Sequence, residues 1–185
     1  MADGLNKEFM EDPVAFLGKY MFSVKDQDLN TGVVELGFTD VSGGKKTRLQ
    51  LGAFSGSIAG NKIKAYFLKA DPDQVNAGTI DTGTDATYFF TSTIQGCQFL
   101  ANGPSNSNLS VEHNNYFSNT ANYASHFASI TAGTVTARVH NGGLYDLSNG
   151  DMGNVVGKKD ENGWTLWFQK EDGGTRALST QVIIP

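Results

Sequence analysis

The sequence from Phe90 to His113 reads Phe-Thr-Ser-Thr-Ile-Gln-Gly-Cys-Gln-Phe-Leu-Ala, then Asn-Gly-Pro-Ser-Asn-Ser-Asn over residues 102–108, then Leu-Ser-Val-Glu-His. Two β-rich runs around a block of turn-forming residues are typical of a hairpin. With the turn centred on Ser105, three pairs of residues face each other: Ala101 and Leu109, Phe99 and Val111, and Cys97 and His113. Side chains alternate faces along a strand, so these six share one face of the hairpin.

The predicted pair of Cys97 and His113 has the chemistry of an activated nucleophile. Directly opposed Cβ atoms in an antiparallel pair are about 4.5–5.5 Å apart. A nearby imidazolium favours the thiolate, and the histidine can then protonate a leaving group. Gly96 leaves the approach to the sulfur open, and the backbone N–H groups of Gly96 and Cys97 are candidate oxyanion donors. The alternative is that Cys97 packs as a small hydrophobic residue, as buried cysteines commonly do.

Ile94-Gln95-Gly96-Cys97 together with His113 resembles the catalytic motif of the Burkholderia lethal factor and cytotoxic necrotizing factor type of glutamine deamidase toxins. The resemblance covers roughly residues 88–116. Thr91 stands at the position of a threonine in that site, and the resemblance gives it a role in orienting His113 or the backbone around Cys97. The sequence departs from the motif at Gln95, where the family has serine, and at Ile94, where it has leucine, and its cysteine–histidine spacing is slightly longer.

The resemblance implies an α+β fold built on a β-sandwich of two mixed sheets, flanked by helices and long loops. It also implies hydrolysis of a glutamine side chain of a host protein to glutamate through a Cys–His thioester mechanism, with no cofactor and no metal. The implied target is a DEAD-box RNA helicase of translation initiation, or secondly a Rho-family GTPase. A monomeric toxin that is secreted or delivered to the host cytosol fits this expectation.

Composition is that of one globular domain, which we expect to span residues 1–185. Hydrophobic residues make up 39% of the chain and charged residues 18%. The net charge of −5 and the absence of a basic run argue against nucleic acid and anionic membranes as partners. No apolar stretch approaches the ~20 residues of a membrane span, and no signal peptide is visible. The single cysteine excludes an internal disulfide and suits a reducing cytosol.

The rest of the chain predicts many strands and few helices. Asp12 as a cap and Pro13 in the first turn indicate a helix over residues 12–20. A second helix is predicted over residues 119–130, where Tyr123 and Phe127 are spaced i, i+4. Strands are predicted over residues 32–38, 62–68, 86–94, 98–101, 109–113, 134–139, 164–168 and 177–184. Strands in excess favour an α+β domain.

Other chemistry-bearing residues form no recognisable site. His126 is expected to pack on the second helix or lie at the surface, and His140 to belong to a turn. The acids Asp81, Asp85, Asp146 and Asp151 do not have EF-hand spacing, and the histidines and cysteine have no zinc-ligand spacing. Trp164 and Trp167 are predicted on opposite faces of one strand, where core packing is favoured over a carbohydrate-binding role. The competing functions are another Cys–His amidohydrolase or protease, and a non-catalytic β-sandwich binding module.

Overall fold

The structure, a computed structural model, describes residues 2–43, 48–54, 61–115, 121 and 135–185. Two helices, α1 (Ala2–Glu11) and α2 (Pro13–Lys19), precede the strands. The strands in the described ranges are β1 (Met21–Val24), β2 (Gly32–Asp40), β3 (Arg48–Ala53), β4 (Ile63–Leu68), β5 (Val75–Asp81), β6 (Tyr88–Thr91), β7 (Gln98–Ser105), β8 (Asn108–Asn114), β9 (Val135–Val139), β10 (Met152–Asp160), β11 (Gly163–Glu171) and β12 (Leu178–Ile184). The chain is therefore predominantly β, with few helices, as expected for a β-rich α+β protein.

The strands form two sheets. The large sheet has the order β1-β3-β2-β4-β6-β10-β11-β12, and the small sheet has the order β5-β8-β7-β9. In the large sheet, β1 pairs with β3 and β4 with β6 in parallel, and the other pairs are antiparallel. The small sheet is antiparallel throughout. The prediction of two mixed sheets is therefore wrong for the small sheet, in which every strand is antiparallel to its neighbours.

Two hydrophobic cores lie on the two faces of the large sheet. The first core joins α1 and α2 to one face and is rich in aromatic residues, among them Phe9, Phe38 and Phe90. The second core contains side chains of both sheets, such as Phe89 and Phe168 from the large sheet and Phe99 from the small one. Phe89 and Phe90 belong to different cores because successive side chains of a strand point to opposite faces. The small sheet thus packs against the face of the large sheet that the helices do not cover.

The start of α2 follows the predicted capping chemistry. The Asp12 carboxylate accepts a hydrogen bond from the N–H of Ala15 at 3.0 Å, and Pro13 occupies the first turn. Both features satisfy or remove backbone N–H groups that have no partner within a helix. The helix predicted over residues 12–20 is confirmed, ending at Lys19. The helix predicted over residues 119–130 lies outside the described residues, except for Ala121.

Buried carboxamides hold the first core together. The Nε2 atom of Gln169 donates to the carbonyl oxygens of Leu17 and Tyr20, both at 2.6 Å. The Nδ2 atom of Asn154 donates to the carbonyl oxygen of Phe22 at 2.9 Å. The last carbonyl groups of a helix have no partner within it, so Gln169 satisfies the end of α2 from the opposite side of the core.

The hairpin of β7 and β8 forms, but its register differs from the predicted one. The turn lies at Asn106 and Ser107 instead of being centred on Ser105, because β7 continues through Gly103 and Pro104. A register shift between Asn102 and Ser105 accommodates these residues as an irregularity of the strand. The opposed pairs are consequently displaced by two residues from those expected: Ala101 faces Val111, and Phe99 faces His113.

Candidate active site around Cys97 and His113

Cys97 lies at the entrance to β7 and is fixed by contacts with both neighbouring segments. Gly96 before it has a left-handed backbone, with φ of +85°, a conformation that favours glycine. Upstream, Ile94 exchanges two backbone hydrogen bonds with Gly153 of the large sheet, at 2.7 and 3.0 Å. The carbonyl oxygen of Cys97 accepts a hydrogen bond from the buried hydroxyl of Tyr145. The short connection between the two sheets therefore determines where the sulfur lies.

The predicted direct pairing of Cys97 with His113 is wrong. His113 faces Phe99, and the same register continued by two residues puts Asn115 opposite Cys97. Because the displacement is an even number of residues, Cys97 and His113 still share the face that packs on the large sheet. They are diagonal neighbours, a relation in which Cβ atoms are about 7 Å apart in general.

The thiol of Cys97 is protected from solvent and uncharged at neutral pH. The residue is 6% exposed, and its Sγ atom donates to the Oδ1 atom of Asn115 at 3.0 Å. Burial raises the pKa of the thiol above its ordinary value, and the backbone N–H of Gln95 opposes this by lowering it. The neutral thiol is a poor nucleophile, so attack requires a base.

His113 is the available base on this face. Its side chain is fully buried, and neither ring nitrogen has a hydrogen-bond partner among the residues that the structure describes. Burial lowers the pKa of the imidazole to about 4. The ring is therefore neutral at neutral pH and carries a lone pair on one nitrogen, and the same burial makes it a weak base in the resting state. Buried polar groups normally have a partner, so a ring without one calls for an explanation other than packing.

Thr91 ends β6 on the face of the large sheet that looks toward the small sheet. Its Oγ1 atom accepts a hydrogen bond from the N–H of Val155 at 3.1 Å, and the side chain is fully buried. The last backbone pair of β6 and β10 is Phe90 with Val156, so the hydroxyl extends this ladder by one bond. A role of Thr91 in orienting His113 or the backbone around Cys97 stays a prediction.

The candidate oxyanion donors are the backbone N–H groups of Gly96 and Cys97. Neither has an acceptor among the described residues. The left-handed backbone of Gly96 determines the direction of both groups. An oxyanion hole requires two N–H donors beside the nucleophile that are not already bonded, and the use of these two groups in one stays a prediction.

Asn115 is the residue of this region that the sequence analysis missed. The signal that could have identified it is the hairpin register, because Asn115 is the residue opposite Cys97 once β7 is extended to Ser105. The predicted turn centre at Ser105 hid this pairing.

The other candidate residues lie away from this arrangement. His140 belongs to a turn in which its carbonyl accepts from the N–H of Gly143 at 3.1 Å, as predicted. Trp164 lies in the second core and Trp167 in the first, so both are packing residues on opposite faces of β11. His126 lies outside the described residues. Among the described residues, no three histidine, cysteine or acidic side chains are grouped so that they could hold a metal, and no helix has the length and apolar character needed to cross a membrane.

Comparison of the chain with protein-family models gives no match. Comparison with curated proteins gives no significant match either.

Proposed function

We propose that the chain is a protein-glutamine deamidase of the toxin type, with Cys97 as its nucleophile and His113 as its base. The observation that carries the proposal is the buried imidazole of His113, which has no hydrogen bond among the described residues and shares a face with the only thiol of the chain. Such a ring costs stability and contributes no hydrogen bond to the part of the fold that the structure describes. The motif resemblance around Gly96 and Cys97 supports the same function and a sandwich fold of the deamidase-toxin kind.

The reaction begins when His113 accepts the thiol proton and the sulfur of Cys97 attacks the carbonyl carbon of a glutamine side chain. The N–H groups of Gly96 and Cys97 stabilise the oxyanion. His113 then returns the proton to the nitrogen, ammonia leaves, and a thioester remains. Water, deprotonated by His113, hydrolyses the thioester and releases glutamate and the free thiol.

The proposed substrate is an exposed glutamine of a host cytosolic protein. By resemblance, a DEAD-box helicase of translation initiation is the first candidate and a Rho-family GTPase the second. In either protein, conversion of a neutral amide to a carboxylate at a functional surface changes its electrostatics, as other charge-adding modifications do. No cofactor or metal enters the proposal, and the chain is expected to act as a monomer in the host cell after delivery.

The test is to incubate the chain with host-cell lysate under reducing conditions and to map new glutamates by peptide mass spectrometry. We expect a mass increase of about 1 Da at one or a few glutamines, because hydrolysis exchanges an amide nitrogen for oxygen. Cys97→Ala should abolish the increase, whereas His140→Leu, which changes a turn histidine, should leave it intact. Conversion that persists in Cys97→Ala, or no conversion by the unaltered chain, would contradict the proposal.

The same samples separate the competing functions. A protease with the same nucleophile would create new peptide termini instead of new glutamates. If the chain is a non-catalytic binding module, the Cys97→Ala variant should affect the partner as strongly as the unaltered chain does.

A further inference from the structure

We infer that Asn115 is a positioning residue of this site: its carboxamide holds the Cys97 thiol and occupies the place that the carboxamide of the substrate takes. The place of the substrate carboxamide rests on the proposed function. The hold of Asn115 on the Cys97 thiol does not, and it can be measured whether or not the chain deamidates a protein.

The contact between the two side chains follows from backbone bonds on both sides. The N–H of Asn115 donates to the carbonyl of Gln74 at 2.9 Å, and the carbonyl of Asn115 accepts from the N–H of Asp73 at 3.0 Å. On the other side, the carbonyl of Cys97 is held by Tyr145. Both main chains are therefore fixed, and the 3.0 Å separation of Sγ and Oδ1 is a property of the fold.

The direction of this hydrogen bond has a chemical consequence. The thiol donates, so its proton points at the oxygen of Asn115 and not at the imidazole of His113. A bond that the protonated thiol makes stabilises the protonated form. The thiol must leave Asn115 before His113 can take its proton. Asn115 therefore keeps the sulfur in an inactive orientation until something replaces it.

The replacement that fits this position is another primary carboxamide. The side chain of Asn115 offers one carbonyl oxygen and one NH₂ group beside the sulfur, and the side chain of glutamine offers the same two groups. A substrate glutamine that displaces Asn115 brings its carbonyl next to Sγ and frees the thiol proton for His113 in the same step. Asn115 thereby favours primary amides over esters and peptide bonds.

The pH dependence of alkylation by iodoacetamide tests this inference, because Cys97 is the single cysteine and reports alone. Asn115→Ala removes the acceptor, so the midpoint of the profile should move to lower pH. A shift of about one unit corresponds to roughly tenfold faster alkylation at neutral pH. Asn115→Asp keeps the size of the side chain but adds a negative charge, so the midpoint should move to higher pH. Asn108→Asp, which adds the same charge at the exposed far end of β8, should reproduce the unaltered profile.

The midpoint distinguishes positioning from access. A variant that only opens the site scales the rate equally at every pH and leaves the midpoint in place. Coincident midpoints for all four proteins, or a lower midpoint for Asn115→Asp, would overturn the inference. An intact mass of the unaltered chain that is lower by one ammonia would also overturn it, because Asn115 would then be a reactant. Isosteric Asn115→Asp can be checked for folding by its thermal unfolding, and none of these results depends on deamidase activity.

Discussion

The core between the helices and the large sheet differs from the core between the two sheets in how its buried polar side chains are used. In the first core, Asn6 accepts from the N–H of Phe38 at 2.7 Å and donates to the carbonyl of Asn61 at 2.7 Å. Gln169 and Asn154 likewise donate to backbone carbonyls. Each of these carboxamides joins two segments of the chain.

His113 in the second core makes no comparable hydrogen bond with the described residues. It is as buried as Gln169, yet neither of its nitrogens has a hydrogen bond there. Burying a polar group without a partner costs roughly 1–3 kcal/mol. The Oε1 atom of Gln169 and the Oδ1 atom of Asn154 also have no partner among the described residues. The cores therefore differ in one respect: these carboxamides make hydrogen bonds through their amide nitrogens, whereas His113 makes none with the described residues.

The largest expected effect on stability belongs to the first core. Gln169→Leu leaves the carbonyl groups of Leu17 and Tyr20 buried without their donor, and we expect a loss of about 4 kcal/mol in the free energy of unfolding. Urea denaturation measures this loss. Alkylation of Cys97 in the folded variant should keep its pH midpoint. A loss below about 1 kcal/mol would show that water replaces the carboxamide and would remove the contrast between the cores.

A pH effect of about 3 kcal/mol should come from the second core. The pKa of His113 is about 4 in the folded chain and near 6.5 when unfolded, so the unfolded chain binds the extra proton between these values. This titration costs no stability above pH 6.5, and its cost to the free energy of unfolding grows as the pH falls toward 4. Relative to His113→Leu, the unaltered chain should therefore weaken by about 3 kcal/mol between pH 7.5 and 4.

Both proteins carry the same carboxylates, so the contribution of their titration cancels in the difference between the two free energies of unfolding. Urea denaturation of the two proteins across the range measures it. A gain of relative stability as the pH falls would mean that His113 is protonated beside a thiolate in the resting state, in contradiction to the buried neutral pair.

The smallest effect concerns the turn before Cys97. Gly96→Ala places a side chain at φ of +85°, which costs about 1 kcal/mol. Gly43→Ala, at φ of +69° in the connection of β2 to β3 with open space around it, is the matched control. Both should lower the thermal midpoint by a few degrees. Only Gly96→Ala should change the alkylation rate of Cys97, and equal rates in both variants would separate the glycine from the site.

The hairpin shows how far the sequence pattern leads to the site. Turn-forming residues at 102–108 correctly predict a reversal between β7 and β8. Gly103 and Pro104 nevertheless belong to β7, because a strand irregularity can absorb residues that usually form turns. The displacement of two residues preserves the shared face of Cys97 and His113 and changes their pairing, which no local pattern encodes.

Several elements are absent from the sequence prediction: α1, β1, β3, β5 and β10. In β10, Gly153 and Gly157 break the usual strand pattern. A Cβ atom at Gly153 would lie 2.5 Å from the ring of Phe168, and one at Gly157 would lie 2.5 Å from Leu166. These glycines make room for neighbouring side chains, a tertiary requirement that a sequence alone presents as a turn signal.

Stability and deamidation measured together in His113→Leu at pH 7.5 show whether this histidine is buried for chemistry or for packing. Removal of an unpaired buried ring should leave the free energy of unfolding unchanged or raise it by about 1 kcal/mol. The rate at which target glutamines gain their mass shift should fall by about 10²–10⁴-fold, the usual loss for a general base. His140→Leu should alter neither quantity. A His113→Leu chain that is clearly less stable yet deamidates at the original rate would contradict the claim that this histidine is buried for chemistry.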